Sequence, residues 1–220
     1  MNTNNLHQAH HNMVEQQVRP WDVLDDRVLQ TLTRVSRADY VPTAYQSLAY
    51  ADTAIPLAHN EIMTHPIVEG RMLQALNIQP MDAVLEIGTG SGYLTACLAH
   101  LASHVESIDI HPEFTQAAAV KLKAHNIYNV TLHTVDAMIG PAAGKNWDVI
   151  VFTGSVNEIP IAYKSALRIN GRMFVIAGDA PVMQARLITR TGDQAWADHV
   201  LFETSLQSLR HAEKKKQFVF

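Results

Sequence analysis

The stretch AVLEIGTGSGYLTACLAHL, residues 83–101, decides the fold. Its apolar residues up to Ile87 predict a short buried strand, and from Leu94 onward apolar residues recur at helical spacing. The sequence Gly-x-Gly-x-Gly, from residue 88 to 92, lies at the change of period. Glycine lets a ligand approach the backbone closely, and the helix that follows begins with unpaired N–H groups. The stretch therefore predicts a strand, a glycine loop and a helix that hold a nucleotide-like group.

The composition is that of a globular chain with a substantial core: 220 residues, 47% hydrophobic and 17% charged. A formal charge of −4 gives no general attraction to nucleic acid. No apolar run approaches membrane-spanning length, and the polar first residues lack a signal core. The single cysteine, Cys97, excludes an internal disulfide and is expected in the core. We expect a soluble cytoplasmic protein without nucleic-acid or membrane partners, and its oligomeric state stays open.

Polar and charged residues are concentrated near the two termini. Residues 1–12 are rich in histidine and are expected to be disordered or loosely packed. The lysine run EKKKQ, 213–217, is expected to be solvated, and the final QFVF to be an edge strand or a contact. Because neither H-E-x-x-H nor paired Cys-x-x-Cys occurs, no metal site is predicted.

The chain has two differently patterned parts. Residues 1–79 predict helices separated by an irregular, proline-containing segment at 40–57, and Asp25 is expected to cap the second helix. From residue 80 onward, strands alternate with helices, which predicts a doubly wound, mostly parallel α/β sheet with helices on both faces and an antiparallel end. The predicted helices are 12–21, 25–35, 65–78, 91–102, 112–126 and 159–166, and the predicted strands are 83–88, 104–110, 130–136, 147–154 and 171–179, followed by a hairpin turning at 191–193.

The glycine spacing distinguishes between classes of nucleotide site. A dinucleotide fold requires G-x-G-x-x-G, but Tyr93 stands directly after the last glycine, so the third dinucleotide glycine is missing. A Walker loop is excluded because Gly-Lys-Ser/Thr does not follow. The pattern E-x-G-x-G-x-G, from Glu86 to Gly92, resembles motif I of the class I S-adenosylmethionine-dependent methyltransferases. Asp109 ends the second strand about 20 residues beyond the first glycine, a spacing that suits an acid binding a ribose diol.

The motif I resemblance implies a site for S-adenosyl-L-methionine. Glu86 would compensate the positive charge of the cofactor, Asp109 would hold its ribose, and Asp136 would contact the adenine amino group. Asp136 suits a loop cap equally well. The other residues implied to bind the cofactor are Gly88, Thr89, Gly90, Ser91, Gly92, Tyr93, Ile110 and Ala137.

The resemblance extends along most of the chain. MVEQQVRPWDVLDDRVLQTLTRVSRADYVP (13–42), AYADTAIPL (49–57) and VLEIGTGSGY (84–93) are similar to successive segments of the protein-L-isoaspartate (D-aspartate) O-methyltransferase family. VDAMIG and DVIVFTGS follow at the family's positions, and the Asp/Asn-Pro-Pro-aromatic motif of nucleobase methylation is absent. The family implies a Rossmann-like methyltransferase fold, with 1–79 as helical cap and acceptor side and 80–220 as cofactor-binding core. It implies methylation of L-isoaspartyl carboxylates in damaged proteins, a protein-repair reaction.

The segment NEIMTHP, residues 60–66, departs from the family's G-Q-T-I-S-x-P. Thr64 takes the position of the family's serine and is the implied catalytic residue. Glu61 puts a carboxylate near an acceptor that is itself a carboxylate, and two ionised groups at close range repel. Thr64 is equally typical of an N-cap for the helix that begins near Pro66. The further residues implied to contact the acceptor are His59, Met63, His65 and Thr153.

Methyl transfer to a carboxylate is an in-line displacement that needs alignment rather than a general base, because the acceptor is already ionised. The lack of an acid–base pair in the sequence therefore does not argue against an enzyme. Three alternatives stay open. They are a methyltransferase of this fold with a small-molecule acceptor, a non-catalytic cofactor-binding protein, and a nicotinamide-dependent oxidoreductase, which the glycine spacing disfavours.

Overall fold

The computed structural model describes residues 3–212, which contain six α-helices and nine β-strands. The helices are α1 (Thr3–Asn12), α2 (Asp26–Arg34), α3 (Pro66–Leu76), α4 (Tyr93–Leu101), α5 (Pro112–Ala124) and α6 (Ile161–Ser165). The strands are β1 (Ile55–Pro56), β2 (Ile62–Met63), β3 (Ala83–Ile87), β4 (His104–Asp109), β5 (Val130–Thr134), β6 (Trp147–Val156), β7 (Leu167–Asp179), β8 (Val182–Gly192) and β9 (Ala195–Thr204).

Seven strands form one sheet in the order β5-β4-β3-β6-β7-β8-β9. The strands from β5 to β7 are parallel, and β8 and β9 add an antiparallel end. The central strand β3 is buried along most of its length, as expected of a parallel strand covered on both faces. The mostly parallel, doubly wound sheet and its antiparallel end are confirmed.

The beginning of the described chain is more ordered than expected. Residues 3–12 form α1, which runs into a π-helical turn at Met13–Val18 and a 3₁₀ turn at Arg19–Trp21. His10 accounts for part of this order, because its Nε2 lies 2.7 Å from the carbonyl oxygen of Leu32 and its ring stacks on Tyr50. The prediction of a disordered or loosely packed segment is therefore wrong for residues 3–12.

The N-terminal helices pack on one face of the sheet and share its core. A single apolar cluster includes Met13, Leu32, Leu73 and Leu98 together with Phe174 of β7. Cys97 belongs to the same cluster and is fully buried, as predicted. The division at residue 79 stays a prediction about domains, although apolar contacts cross it.

Two local features explain how the helices of the cap meet. Asp25 caps α2 as predicted, because its side chain accepts a hydrogen bond of 2.8 Å from the Arg27 N–H. Gly70 lies in the middle of α3, where a Cβ would approach Cγ1 of Val18 to 2.5 Å. Glycine is unfavourable inside a helix, but at position 70 it allows α3 to pack closely against the π-helical turn.

The described part of the chain contains no helix both long and apolar enough to cross a membrane. The predicted solvated run at 213–217 and the final QFVF lie outside the described residues, as do residues 1 and 2.

Candidate active site

A cavity opens at the carboxyl ends of the central parallel strands, where open α/β sheets bind their ligands. Its floor is the glycine loop after β3 and the ends of β4 and β6. Its outer wall is formed by residues of two segments, 57–62 and 206–211. We call the segment 206–211 the strap. The predicted cofactor residues that line it are Gly88, Gly90, Asp109, Ile110, Asp136 and Ala137.

The glycine loop is folded tightly against β6. Gly88 has a φ of 98°, and a Cβ there would lie 2.1 Å from Oγ1 of Thr153. That hydroxyl donates hydrogen bonds to the carbonyl oxygens of Gly88, at 2.8 Å, and of Ile87, at 3.0 Å. β6 shifts its register against β7 between Val151 and Ser155, and Thr153 and Gly154 in this irregular part line the cavity. Only glycine fits at position 88.

Asp109, at the end of β4, holds the glycine loop through a hydrogen bond to its backbone. Its carboxylate accepts hydrogen bonds of 2.9 Å from the backbone N–H groups of Gly90 and His111. Burial raises the pKa of Asp109, and these two hydrogen bonds oppose the shift. The carboxylate lines the cavity beside Ile110, so it can accept hydrogen bonds from a ligand diol.

Asp136 is both a cap and a cavity residue. Its Oδ1 accepts a hydrogen bond of 2.8 Å from the Met138 N–H, at the start of a 3₁₀ turn. Its Oδ2 lies 2.6 Å from Nδ1 of His211, in the strap. Burial acts to raise the pKa of Asp136, but the hydrogen bonds from His211 and Met138 outweigh it and lower the pKa. The predicted loop cap is confirmed, and an adenine contact would have to compete with His211.

Glu86 does not line the cavity. Its carboxylate is fully buried and accepts hydrogen bonds from Thr95, at 2.5 Å, and from Ser107, at 2.6 Å. Ser107 in turn lies 2.6 Å from the hydroxyl of Thr89 in the glycine loop. Burial raises the pKa of Glu86 to about 8. We therefore revise the expectation that Glu86 meets the cofactor directly, because it supports the loop through Ser107 and Thr89.

Two further residues implied by motif I lie outside the cavity lining. A Cβ on Gly92 would meet Ala118 of α5 at 3.0 Å, so this glycine brings the loop close to that helix. Tyr93 is buried in the core, where its ring makes a T-shaped contact with Tyr40 and the guanidinium of Arg37 lies over its face, 5.5 Å from the ring centroid. Both residues pack the end of the glycine loop against the protein core, on the side away from the cavity.

A second, smaller cavity adjoins the first and contains the implied catalytic residue. Thr64 lines it, together with Met63, Thr89 and Ser91, and the two cavities share Ile62, Gly88, Gly90 and Thr153. Thr64 therefore lies close to the glycine loop.

Thr64 is not the N-cap of α3. His65 occupies that position without a side-chain hydrogen bond. The hydroxyl of Thr64 donates instead to Oε1 of Glu69, at 3.2 Å, and the other oxygen of Glu69 lies 3.2 Å from Nε of the buried Arg37. Burial raises the pKa of Glu69, and the positive charge of Arg37 opposes this. The N-cap hypothesis is wrong because His65 is the N-cap and the Thr64 hydroxyl donates its hydrogen bond to a buried carboxylate in the first turn of the helix.

The two histidines that flank the acceptor segment differ in position. His65 is half exposed, 3.6 Å from Asp52, and does not line either cavity. His59 stacks on His111, a cavity residue, with ring centroids 4.0 Å apart. With Glu113, these two rings are the group of potential metal ligands found within residues 3–212. Because the rings are parallel, their lone pairs point side by side rather than to one centre, and we assign no metal to them.

Comparisons with known proteins agree with this geometry. The sequence profile of the protein-L-isoaspartate (D-aspartate) O-methyltransferase family (PCMT) matches residues 8–206. The protein-L-isoaspartate O-methyltransferase of Rhodopseudomonas palustris is 33% identical over 206 residues, which are 93% of this chain and 94% of the relative. The protein of the same name from Jannaschia sp. is 35% identical over 175 residues, 79% of each chain. The chain belongs to the protein-L-isoaspartate O-methyltransferase family.

A solved structure supports the fold of this family member. A Plasmodium falciparum protein assigned as a protein-L-isoaspartate O-methyltransferase, in complex with S-adenosyl-L-homocysteine, superposes with a TM-score of 0.80. It is 20% identical, and the match covers 91% of this chain and 98% of that one, so it shows the fold. The Rossmann-like methyltransferase fold is confirmed, and the family comprises S-adenosylmethionine-dependent carboxyl methyltransferases.

Only the first residue of the strap lies within the range 8–206 that the profile of this methyltransferase family matches. The strap runs beside the end of β6, where the N–H of Ser155 donates to the carbonyl oxygen of Gln207 and the N–H of Leu209 donates to that of Ser155, both at 2.9 Å. The cavity beneath it has about 80 Å³ of free volume. Ligand sites usually measure ~300–1000 Å³, so the space under the strap is smaller than is usual for a ligand site.

Sequence reasoning singled out no candidate site residue in the strap. Three side chains of the strap form hydrogen bonds with Glu61 or Asp136, which lie about 75 to 150 positions earlier in the chain; they are Gln207, Arg210 and His211. No local periodicity or motif marks such pairs. The one available signal was the pair of unusual charges, Glu61 in the acceptor segment and Arg210 near the end of the described residues.

Proposed function

We propose that this chain transfers the methyl group of S-adenosyl-L-methionine to the carboxylate of L-isoaspartyl residues in damaged proteins. The observation that carries the proposal is the pair of adjoining cavities. One is lined by the glycine loop, Asp109 and Asp136, and the other by Thr64. Family membership supports the choice of reaction and acceptor.

The residues of the larger cavity suit an adenosyl group. Gly88 and Gly90 line it with backbone that carries no side chain, and Asp109 offers carboxylate oxygens to a ribose. Ile110, Val135 and Ala137 give an apolar surface for a base, with Asp136 at its edge. We assign Gly88, Gly90, Asp109, Ile110, Asp136 and Ala137 to cofactor binding, and Thr89 and Ser91 to the end of the loop that faces Thr64.

The bound cofactor supplies an electrophilic methyl group on a positively charged sulfur. The chain then has to place an ionised acceptor oxygen in line with that methyl group, and it needs no base, because the carboxylate is already deprotonated near neutral pH. Thr64 and Thr153 lie beside the glycine loop and are the hydroxyl-bearing side chains we assign to the acceptor end, with Met63 as an apolar wall. Glu69 and Arg37 fix the orientation of Thr64.

The partner is therefore a protein or peptide that carries isoaspartate. The altered acceptor segment is compatible with a small-molecule acceptor, and the test must include that outcome.

The decisive experiment is methyl transfer from labelled S-adenosylmethionine to a synthetic isoaspartyl peptide, with its normal aspartyl twin as the control. Selective labelling of the isoaspartyl peptide is expected. Cofactor binding is measured in parallel by titration calorimetry with S-adenosylhomocysteine. Binding without labelling of the peptide would contradict the assigned acceptor and favour a small-molecule acceptor or a non-catalytic protein. Saturable binding of a nicotinamide dinucleotide instead would overturn the cofactor assignment.

A further inference from the structure

Three acidic side chains line the larger cavity. They are Glu61, Asp109 and Asp136. Among the described residues of the lining, Arg210 carries the one permanent positive charge. An acceptor carboxylate that binds in the adjoining smaller cavity brings a further negative charge close to these groups, and like charges at short range oppose its approach.

Arg210 holds Glu61 across the mouth of the cavity. Its Nε lies 2.6 Å from Oε1 of Glu61, and its Nη2 donates a hydrogen bond to the carbonyl oxygen of His59. The other oxygen of Glu61 accepts a hydrogen bond of 3.0 Å from Nε2 of Gln207. Both oxygens of Glu61 are thus satisfied by the strap.

The arrangement leaves Arg210 able to take a second carboxylate. Within residues 3–212, its Nη1 has no hydrogen-bond partner, and 43% of the side chain is exposed. A guanidinium binds a carboxylate through two parallel N–H groups, so Arg210 can engage an incoming carboxylate with its Nη atoms.

Glu61 has a second potential hydrogen-bond partner, His111, when Arg210 binds another group. Nε2 of His111 lies 3.7 Å from Oε1 of Glu61, is buried, and has no hydrogen-bond partner among the described residues. A small rotation brings this nitrogen within hydrogen-bond distance of Glu61. The loss of Arg210 therefore does not leave Glu61 without a donor.

The position of the strap places Arg210 at the acceptor end. A Cβ on Gly88 would meet Leu209 at 3.6 Å, so the residue before Arg210 packs against the glycine loop. Glu61 is followed directly by Ile62, Met63 and Thr64, the residues that line the smaller cavity.

We propose that Arg210 binds the carboxylate of the methyl acceptor, and that Glu61 is the resting partner which the acceptor displaces. This inference rests on the proposed function and names the side chain that selects its substrate. Glu61 then makes entry selective, since only a ligand that carries its own carboxylate compensates the loss of the Glu61–Arg210 ion pair.

The test compares Arg210→Gln, Glu61→Gln and the double variant with the wild-type protein. Isoaspartyl peptide binding to the protein saturated with S-adenosylhomocysteine is measured by fluorescence anisotropy, and methyl transfer gives KM and kcat. The matched control is Arg186→Gln, which removes an ion pair with Asp198 on the β8–β9 hairpin. Calorimetry gives the cofactor Kd of each variant.

Arg210→Gln is expected to weaken peptide binding and raise KM by roughly tenfold to a hundredfold, the range for a lost charged hydrogen-bond pair. The cofactor Kd stays unchanged, Glu61→Gln lowers KM, and Arg210→Lys recovers part of the loss. The double variant still binds the isoaspartyl peptide more weakly than the wild-type protein does, because it lacks the guanidinium of Arg210.

Three results would overturn the inference while leaving the proposed function intact. The first is an unchanged peptide affinity in Arg210→Gln. The second is full recovery in the double variant, which would mean that Arg210 serves only to neutralise Glu61. The third is a loss confined to the cofactor Kd, which would assign Arg210 to the carboxylate of the cofactor. A wild-type protein that neither binds nor methylates isoaspartyl peptides would instead overturn the proposed function and this inference together.

Discussion

Replacing Glu86 by glutamine should change how the stability of the protein depends on pH. Glu86 is fully buried beneath the glycine loop, with one oxygen bonded to Thr95 and Ser107. Its second oxygen, Oε1, is buried without a partner among the described residues. An ionised carboxylate in that setting is poorly solvated, so burial raises its pKa from 4.5 to about 8.

The sign of the effect follows from proton binding. Between pH 4.5 and about pH 8, the folded protein holds a proton on Glu86 that the unfolded chain has released. The free energy of unfolding therefore falls as pH rises through this window. A shift from 4.5 to about 8 corresponds to about 5 kcal/mol in total, at about 1.4 kcal/mol per pH unit. Glutamine is neutral throughout, so the variant lacks this contribution.

The assay is urea unfolding of both proteins, followed by circular dichroism at several pH values across the window. The quantity to compare is the free energy of unfolding of Glu86→Gln minus that of wild type. If the glutamine amide itself changes the free energy of unfolding by a constant amount, that amount does not affect how the difference varies with pH. We expect this difference to increase by about 5 kcal/mol in favour of the variant from the acidic to the alkaline end.

Glu113→Gln serves as the control, because it removes a carboxylate whose side chain is 63% exposed. Its stability difference from wild type should change little over the same range. A difference for Glu86→Gln that stays flat with pH would refute the reasoning, since it would mean that Glu86 is ionised in the folded protein at neutral pH.

Three further substitutions test the site and its support. Gly88→Ala should weaken S-adenosylhomocysteine binding about tenfold or more in calorimetry, because the residue has a φ of 98° and a Cβ would meet a side-chain hydroxyl at 2.1 Å; an unchanged Kd would contradict the close approach. Gly70→Ala should lower the free energy of unfolding by roughly 1–3 kcal/mol, because its Cβ would approach Val18 to 2.5 Å; neutrality in urea unfolding would show that the helices move apart freely. His211→Ala should strengthen S-adenosylhomocysteine binding a few-fold, because it releases Asp136 from the strap; weaker binding would mean that the strap stabilises the bound cofactor.

The fold was largely predictable because its signals are local. The apolar strand from Ala83 to Ile87 and the glycine loop that follows could be assigned from a few neighbouring residues. The helix at residues 3–12 was missed, because its order comes from tertiary contacts: His10 reaches Leu32 and Tyr50, and its polar composition gives little indication of burial.

The candidate site was predictable only in part. The spacing of Asp109 from the glycines identified a residue that does line the cavity. Glu86 and Tyr93 belong to the same motif but face the interior, which the order of residues in a loop does not reveal. The hydroxyl of Thr64 bonds to Glu69 rather than to the backbone, since a buried ion pair across the cap places a carboxylate there.

The pairing of Glu61 with Arg210 joins positions 149 residues apart, and this has a consequence during translation. A nascent chain that has been made as far as residue 204 contains every strand of the sheet and the whole glycine loop. It lacks the strap, and with it the hydrogen bonds to Ser155 and the guanidinium at the mouth of the cavity. Such a chain would thus contain the residues that form the floor of the cavity but only the 57–62 part of its outer wall. The strap is therefore the last part of the described cavity to be synthesised, after all the strands that form its floor.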